Sequence, residues 1–389
     1  MNFLKFIAKY QYKHKMLIFI IAVIITIILA IGVFRIEMET DFSKMNPTGL
    51  EIVELNDKIT TEFGGTDIVI ILFRFDNNYN FKNDNLDIRD PEIISYLKNL
   101  EIELNKESSV EGIISPATYI SNFNPQSLSQ VKYILSQYPE LNSFFSKDFT
   151  TTLMYITADL SGDQEKTIAF TEMISEKLKF IPIPQGIEYF VTGSAPISVT
   201  ILDILGKDAV KTIVIAAIII LLLLFITERS VLKGIVVFSP ILLGVIWTIG
   251  TMGYLNIKLS VATVGIGAMI LGLGVEYGVF MHTRYLEEKE KGLSQKESLE
   301  NSVPAIGSAI LGSGITTIIG FLALTLSIMP MLQDLGKTLA LGIFFCLFIA
   351  VFISPVIIVL FEDLDKFILN KMYKRYNKKI SQISKSDLQ

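Results

Sequence analysis

The 389-residue chain contains one cysteine, one tryptophan and two histidines. A lone Cys346 excludes a disulfide scaffold and a cysteine-based metal cluster, and its apolar surroundings suit a packed thiol. Two histidines, His14 and His282, exclude a histidine-rich metal site, so no metal or other cofactor is expected. Charge is also scarce: 19% of the residues carry it, against about 25% in soluble domains. What fills the space is hydrophobic, 51% of the chain, which points to the membrane class.

Six stretches are long enough to span a hydrocarbon core, which takes about 20 helical residues. They are 16–34, 210–227, 235–254, 261–283, 304–327 and 338–361, so one span stands apart and a five-helix membrane domain occupies 210–361. The first run exceeds a signal-peptide core and lacks a clear A-x-A exit, so it reads as a retained span. Basic residues mark the sides. Lys5, Lys9, Lys13 and Lys15, then Arg229 and Lys233, then Arg284, Lys289, Lys291 and Lys296, then the tail of 362–389 alternate onto one side. The expectation is a multi-pass cell-membrane protein with both termini, including residues 1–15, in the cytoplasm. The basic tail would meet anionic lipid head groups. The stretch 284–303 mixes charges at helical spacing and reads as an amphipathic surface helix, with His282 interfacial.

Residues 35–208 then lie outside as one large domain. It holds 27 acidic and 14 basic side chains, which argues against nucleic-acid binding. Strand-like runs at 66–75, 110–117, 151–160 and 187–193 alternate with helical patterns at 90–104, 124–138 and 163–180, an α+β arrangement of a small sheet with helices on one face. Asp90-Pro91 and Asn124-Pro125 each place a capping residue ahead of a first-turn proline. The asparagine-rich 75–87 reads as a loop.

One residue violates the lipid pattern. Glu276, in GLGVEYGVFM (272–281), is the sole carboxylate of the expected spans that lies well away from an end. A charge at mid-membrane costs roughly 2.5–3.5 kcal/mol, so the group is expected to face protein or water and to be protonated part of the time. The next span offers Ser313, Thr316 and Thr317, at i, i+3 and i+4 and at matching depth, as hydrogen-bonding partners. Those threonines have another use, bonding back to their own helix. Small residues allow close approach: Gly272, Gly274 and Gly278 on one span, Gly312 and Gly320 with Ser308 and Thr316 on the next. Their role is packing or helix motion. Tyr277 is either a proton relay or a packing anchor, and the ion is either a proton or sodium.

One span, a large outer domain and five further spans resemble one half of a resistance-nodulation-division (RND) exporter. GLGVEYGVFMHTRYLEE (272–288) and AIGSAILGSGITTIIGFLAL (305–324) are similar to signatures of its MMPL branch, with support from FGGTD (63–67), VTGSAP (191–196), Gly336, Gly342 and Pro355. The resemblance implies a half-length member whose proton-relay site is Glu276 with Tyr277. It also implies a porter-like outer domain with a β-α-β-β-α-β core, through which a hydrophobic or amphiphilic substrate passes. Many relatives use aspartate where this chain has Glu276, and many carry two six-span repeats. A single repeat calls for a partner, most simply an identical chain in a homodimer. The resulting expectation is a proton-coupled exporter of lipid-like molecules. The alternative is a non-transporting lipid sensor or an accessory subunit of protein export. A hydrolase is disfavoured, because one central carboxylate makes no aspartyl dyad and no serine has a histidine at matching depth.

Overall fold

Residues 15–33 are mostly isoleucine, valine and threonine, β-branched types that favour strands in water, yet they form a helix. In lipid only a helix satisfies its own backbone groups within one segment, and that requirement overrides propensity. The computed structural model describes residues 2–39, 46–47, 49–63, 67–76, 78–79, 86–158, 160 and 164–368. It resolves into two units, Thr40–Ile204 and the remainder on either side of it. The chain begins with α1 (Asn2–Lys13) and, after a turn at His14, α2 (Lys15–Val33).

The unit from Thr40 to Ile204 contains α3 (Glu51–Phe63), β1 (Asp67–Phe75), α4 (Pro91–Leu104), β2 (Gly112–Ile114), α5 (Pro116–Ile120), α6 (Leu128–Gln137), β3 (Thr151–Ala158), α7 (Gln164–Phe180) and β4 (Ile187–Gly193). The four strands pair antiparallel in the order β2-β3-β1-β4, the order of a split β-α-β with its mirror half, and α5 and α6 are inserted between β2 and β3. Alternate residues of β1 (Val69, Ile71, Phe73) and β3 (Met154, Ile156, Ala158) face one core with Leu97, Leu100 and Leu104 of α4 and Ile174 of α7.

Asp90 caps α4 as its sequence suggests, its carboxylate accepting from Glu92 N at 2.9 Å. Two local expectations need correction. Asn124 caps no helix start; it sits at φ 47°, ψ 53°, a left-handed conformation that asparagine tolerates, and α6 begins later under the Ser127 cap. The strand expected over 110–117 stops at Ile114, because Ser115-Pro116 opens α5 with a capping box to Thr118. Most of FGGTD and of the asparagine-rich 75–87 lies outside the described residues, as does the tail from residue 369.

The other unit is completed by α8 (Ser194–Glu228) from Leu205 onward, α9 (Val231–Tyr254), α10 (Ile266–Glu290), α11 (Gln295–Ala323) and α12 (Pro330–Phe352). Among the described residues, six helices are long and apolar enough to cross a membrane: α2 and α8 to α12. The helix carrying the second span starts at Ser194, well ahead of residue 210. Helices α9, α10 and α12 form the centre; α2, α8 and α11 keep most of their apolar surface outward. At the α2–α9 crossing a Cβ on Gly250 would lie 2.0 Å from Leu29 O, and one on Gly32 would lie 2.2 Å from Gly250 O. Only glycine lets these backbones touch.

Two stretches differ from their sequence reading. Residues 284–303 are not one surface helix: α10 runs on to Glu290, the chain turns at Gly292 (φ 83°), and Ser294 starts α11 with a capping box to Glu297. A glycine free to adopt positive φ, followed by a cap, ends one helix and starts the next. The last span is interrupted at Ile353, and a further helical stretch covers 354–368. Pro355 has no N–H to offer Val351 O. The buried Gln11 of α1, 2% exposed, fills that role: its Nε2 donates to Val351 O at 2.8 Å and Phe352 O at 3.1 Å.

Candidate functional site

The candidate site lies on α10 and α11, which pack side by side in the helical unit, and each helix presents two unlike faces. Inward, α10 buries Gly274, Tyr277 and Gly278 against α9 and α12. A Cβ on Gly274 would stand 2.8 Å from Cys346 Sγ, and one on Gly278 would stand 2.9 Å from Val237 O. These two glycines are packing residues, and Cys346 is the buried thiol that fills the space beside the first. Outward, α10 exposes Gly272, Leu273, Glu276 and Phe280. On α11 the outward face carries Ser308, Gly312, Ser313, Thr316 and Gly320. Among the described residues, and apart from the helix's own backbone, nothing lies within 4 Å of a Cβ built on Gly272, Gly312 or Gly320. The five glycines of the small-residue pattern therefore divide, two filled by neighbours and three open.

Glu276 itself is exposed and, among the described residues, makes no hydrogen bond or ion pair in the single chain. Its expected hydroxyl partners are otherwise engaged. Thr316 Oγ1 donates to Ser313 O at 2.7 Å and Thr317 Oγ1 donates to the same carbonyl at 3.0 Å, the back-bonded arrangement open to threonines in a helix. Each hydroxyl keeps its lone pairs free to accept a hydrogen bond. Ser313 and Tyr277 are brought together: with Phe280, Ile306, Ala309 and Ile310 they line a cleft of about 190 Å³ between α10 and α11.

At the other end of α10 the structure assembles charged groups that spacing did not reveal. His282, read as interfacial, is 4% exposed, with Nδ1 3.3 Å from Glu228 Oε2 at the end of α8. Glu228 and His282 are 54 residues apart, and only the packing of α8 on α10 joins them. The buried Glu288 accepts from Lys291 at 2.8 Å and from Asn301 at 3.3 Å, and pairs with Arg284 at 2.8 Å, tying the α10–α11 turn. Tyr285 donates to Glu362 at 2.5 Å, while Asp363 receives Lys15 and Gln295. There burial raises the Glu362 and Asp363 carboxyls, but the hydrogen bonds from Lys366 and Tyr285 to the first and from Lys15 and Gln295 to the second, together with the nearby lysine charges, outweigh it and hold both below the usual range.

Comparison with known proteins places these residues in context. The profile of the MMPL family matches residues 87–378, a range that contains both α10 and α11. Membrane protein MJ1562 of Methanocaldococcus jannaschii is 34% identical over 365 residues, covering 92% of this chain and 94% of that protein. The siderophore exporter MmpL5 of Mycobacterium tuberculosis is 23% identical over 269 residues, 65% of this chain but 28% of MmpL5. The protein translocase subunit SecD of Koribacter versatilis is 28% identical over 208 residues, 52% of this chain and 38% of SecD.

Proposed function

Because the chain belongs to the MMPL family of RND-type membrane proteins, we propose that it exports hydrophobic or amphiphilic, lipid-like molecules at the expense of a proton gradient, with Glu276 as the group that gains and loses the proton. One observation carries this reading: a carboxyl group stands exposed midway along a membrane helix, on a face with Gly272, Leu273 and Phe280, beside a neighbouring helix that exposes Gly312, Ser313, Thr316 and Gly320. Against lipid tails that charge would cost roughly 2.5–3.5 kcal/mol, so in the working protein the face meets protein or water instead. A stripe of Gly272, Gly312, Ser313, Thr316 and Gly320 suits close approach of another helix. A second copy of the chain, paired about a two-fold axis, presents the same stripe and supplies that cover. Two carboxyls then face one another across the axis, with Tyr277, Ser313, Thr316 and Thr317 as relay groups. In this arrangement the unit of Thr40–Ile204 is the extracytoplasmic, porter-like domain and both termini are cytoplasmic. The exporter relative MmpL5 supports the transport class.

The test is movement of a hydrophobic fluorescent probe in proteoliposomes with an imposed pH gradient. Glu276→Gln is expected to abolish gradient-dependent movement while the protein stays folded, and Glu276→Asp to retain part of it. Pumping by Glu276→Gln at the parent rate rejects the mechanism. The SecD relative favours a second reading, an accessory subunit of protein export. That reading is recognised by a stable protein partner on purification and by indifference to the pH gradient.

A further inference from the structure

Helix α1 is divided into three stripes. Leu4, Ala8 and Gln11 are buried against α11 and the end of α12. Phe3, Phe6 and Tyr10, spaced three and four apart, form an exposed aromatic row in which Phe6 is 66% exposed. Lys5, Lys9 and Lys13, each four apart, form a second exposed row beyond it. Exposed phenylalanines beside lysines are wasteful in water but match the boundary of a bilayer, where aromatic rings sit at head-group level and lysines reach past them.

The packing of α1 fixes its depth independently. Leu4 lies 3.8 Å from where a Gly307 Cβ would be, and Gln11 is bonded to Val351 and Phe352. Gly307 is sixteen residues from the far end of α11 at Ala323, or about 24 Å. Val351 is twenty-one residues from the far end of α12 at Pro330, or about 32 Å. With a hydrocarbon core of about 30 Å, both contacts fall at one membrane boundary.

We propose that α1 is an interfacial helix that docks on the anionic head-group surface of the bilayer, with Phe3, Phe6 and Tyr10 entering the acyl boundary and Lys5, Lys9 and Lys13 contacting the head groups. The occupant follows from charge: three lysines and no acidic residue lie on α1. The Gln11 bonds at the break in the last helix anchor α1 at this level, so the lysines cannot drift into bulk water.

The experiment places an indole in the aromatic row by Phe6→Trp, in a Trp247→Phe background, and reconstitutes the full chain with brominated lipids that quench nearby tryptophan. Brominated phosphatidylglycerol is expected to quench several-fold more than brominated phosphatidylcholine at low salt. Lys5→Gln, Lys9→Gln and Lys13→Gln combined are expected to bring the two lipids to equal quenching, with melting in neutral detergent unchanged. Tyr10→Trp serves if Phe6→Trp does not fold. Equal quenching by the two lipids, no quenching by either, or a preference that survives loss of the three lysines overturns the proposal.

Discussion

Two regions of the molecule contain the same ingredients, a glutamate with a serine and threonine, and use them in opposite ways. In the sheet unit Glu101 is 4% exposed, and one of its oxygens accepts from Ser115 Oγ at 2.7 Å and Thr118 Oγ1 at 2.5 Å while Lys98 reaches the other at 3.2 Å. Ser115 and Thr118 also accept backbone N–H groups that begin α5, so the carboxylate locks a helix start onto α4. In the helical unit Glu276 is exposed, and the nearby threonines donate to Ser313 O instead of to it. A carboxylate held by three donors is structure; one left with no donor in the single chain is available for the proton role proposed for it.

The sharpest way to break this contrast is to neutralise each glutamate in turn. Glu276→Gln is expected to lower gradient-driven transport by a factor of about 100 or more, in the range lost with a general acid–base group, and to leave the melting temperature within a degree or two. Glu101→Gln should do the reverse, destabilising the sheet unit by about 1.5–3 kcal/mol, the range for a hydrogen-bonded charge, while the helical unit keeps its protection in amide hydrogen exchange. If both variants lose only stability, Glu276 is structural as well.

The glycines extend the comparison from chemistry to packing. Gly278→Ala would push a Cβ to 2.9 Å from Val237 O, a backbone atom with little room to retreat, and should cost about 1–3 kcal/mol. Gly274→Ala meets Cys346 Sγ at 2.8 Å, and Cys346→Ala in the same chain should recover much of the loss. Gly272→Ala and Gly312→Ala meet nothing in the single chain and should be neutral or stabilising by up to about 1 kcal/mol for the folded monomer. Gly312→Cys in a Cys346→Ala background adds a test of the proposed cover: oxidation should yield a covalent dimer on gels. Gly278→Ala as silent as Gly312→Ala in thermal unfolding would erase the distinction between the two faces.

How much of this was legible depended on whether the cause was local. Hydrophobic run length located the membrane helices, and alternation located β1, β3 and β4, because burial in lipid or against one core imposes its period directly on the residues. Asp90-Pro91 announces α4, yet the same signal at Ser115-Pro116 is masked by the apolar run before it, and at Asn124-Pro125 the backbone turns left-handed instead of starting a helix. On α10, the glycine pattern showed that something approaches closely; it did not show which of the glycines face Cys346 and Val237 and which face outward. That division depends on helix rotation, set by long-range packing. The His282–Glu228 and Gln11–Val351 pairs span 54 and 340 residues and leave no mark on local spacing.

Gln11 offers a contact whose removal has a smaller effect. Gln11→Ala strands the Val351 and Phe352 carbonyls at the break in the last helix, a cost of about 1–2 kcal/mol for buried acceptors that water can partly reach. Exchange of the amides around Ile353 should speed up while those of α9 hold. An unchanged rate at Ile353 would mean that α1 merely covers the break.

A partly buried carboxylate of the sheet unit, Asp87, differs from both glutamates. Burial raises the Asp87 carboxyl, but hydrogen bonds from Arg89 and Lys132 outweigh it and hold it at about 2, below its ordinary 3.8. Arg89 grips it twice at 2.7 Å while lying 3.4 Å from the centre of the Phe149 ring, and Lys132 approaches to 3.0 Å. Because the folded value is depressed, the stabilisation is fully present above about 4 and is lost as pH falls through about 2. Asp87→Asn should therefore weaken the sheet unit at neutral pH and flatten its acid loss between pH 4 and 2, read as hydrogen exchange in α4. An acid profile identical to the parent's would assign the loss to other carboxylates.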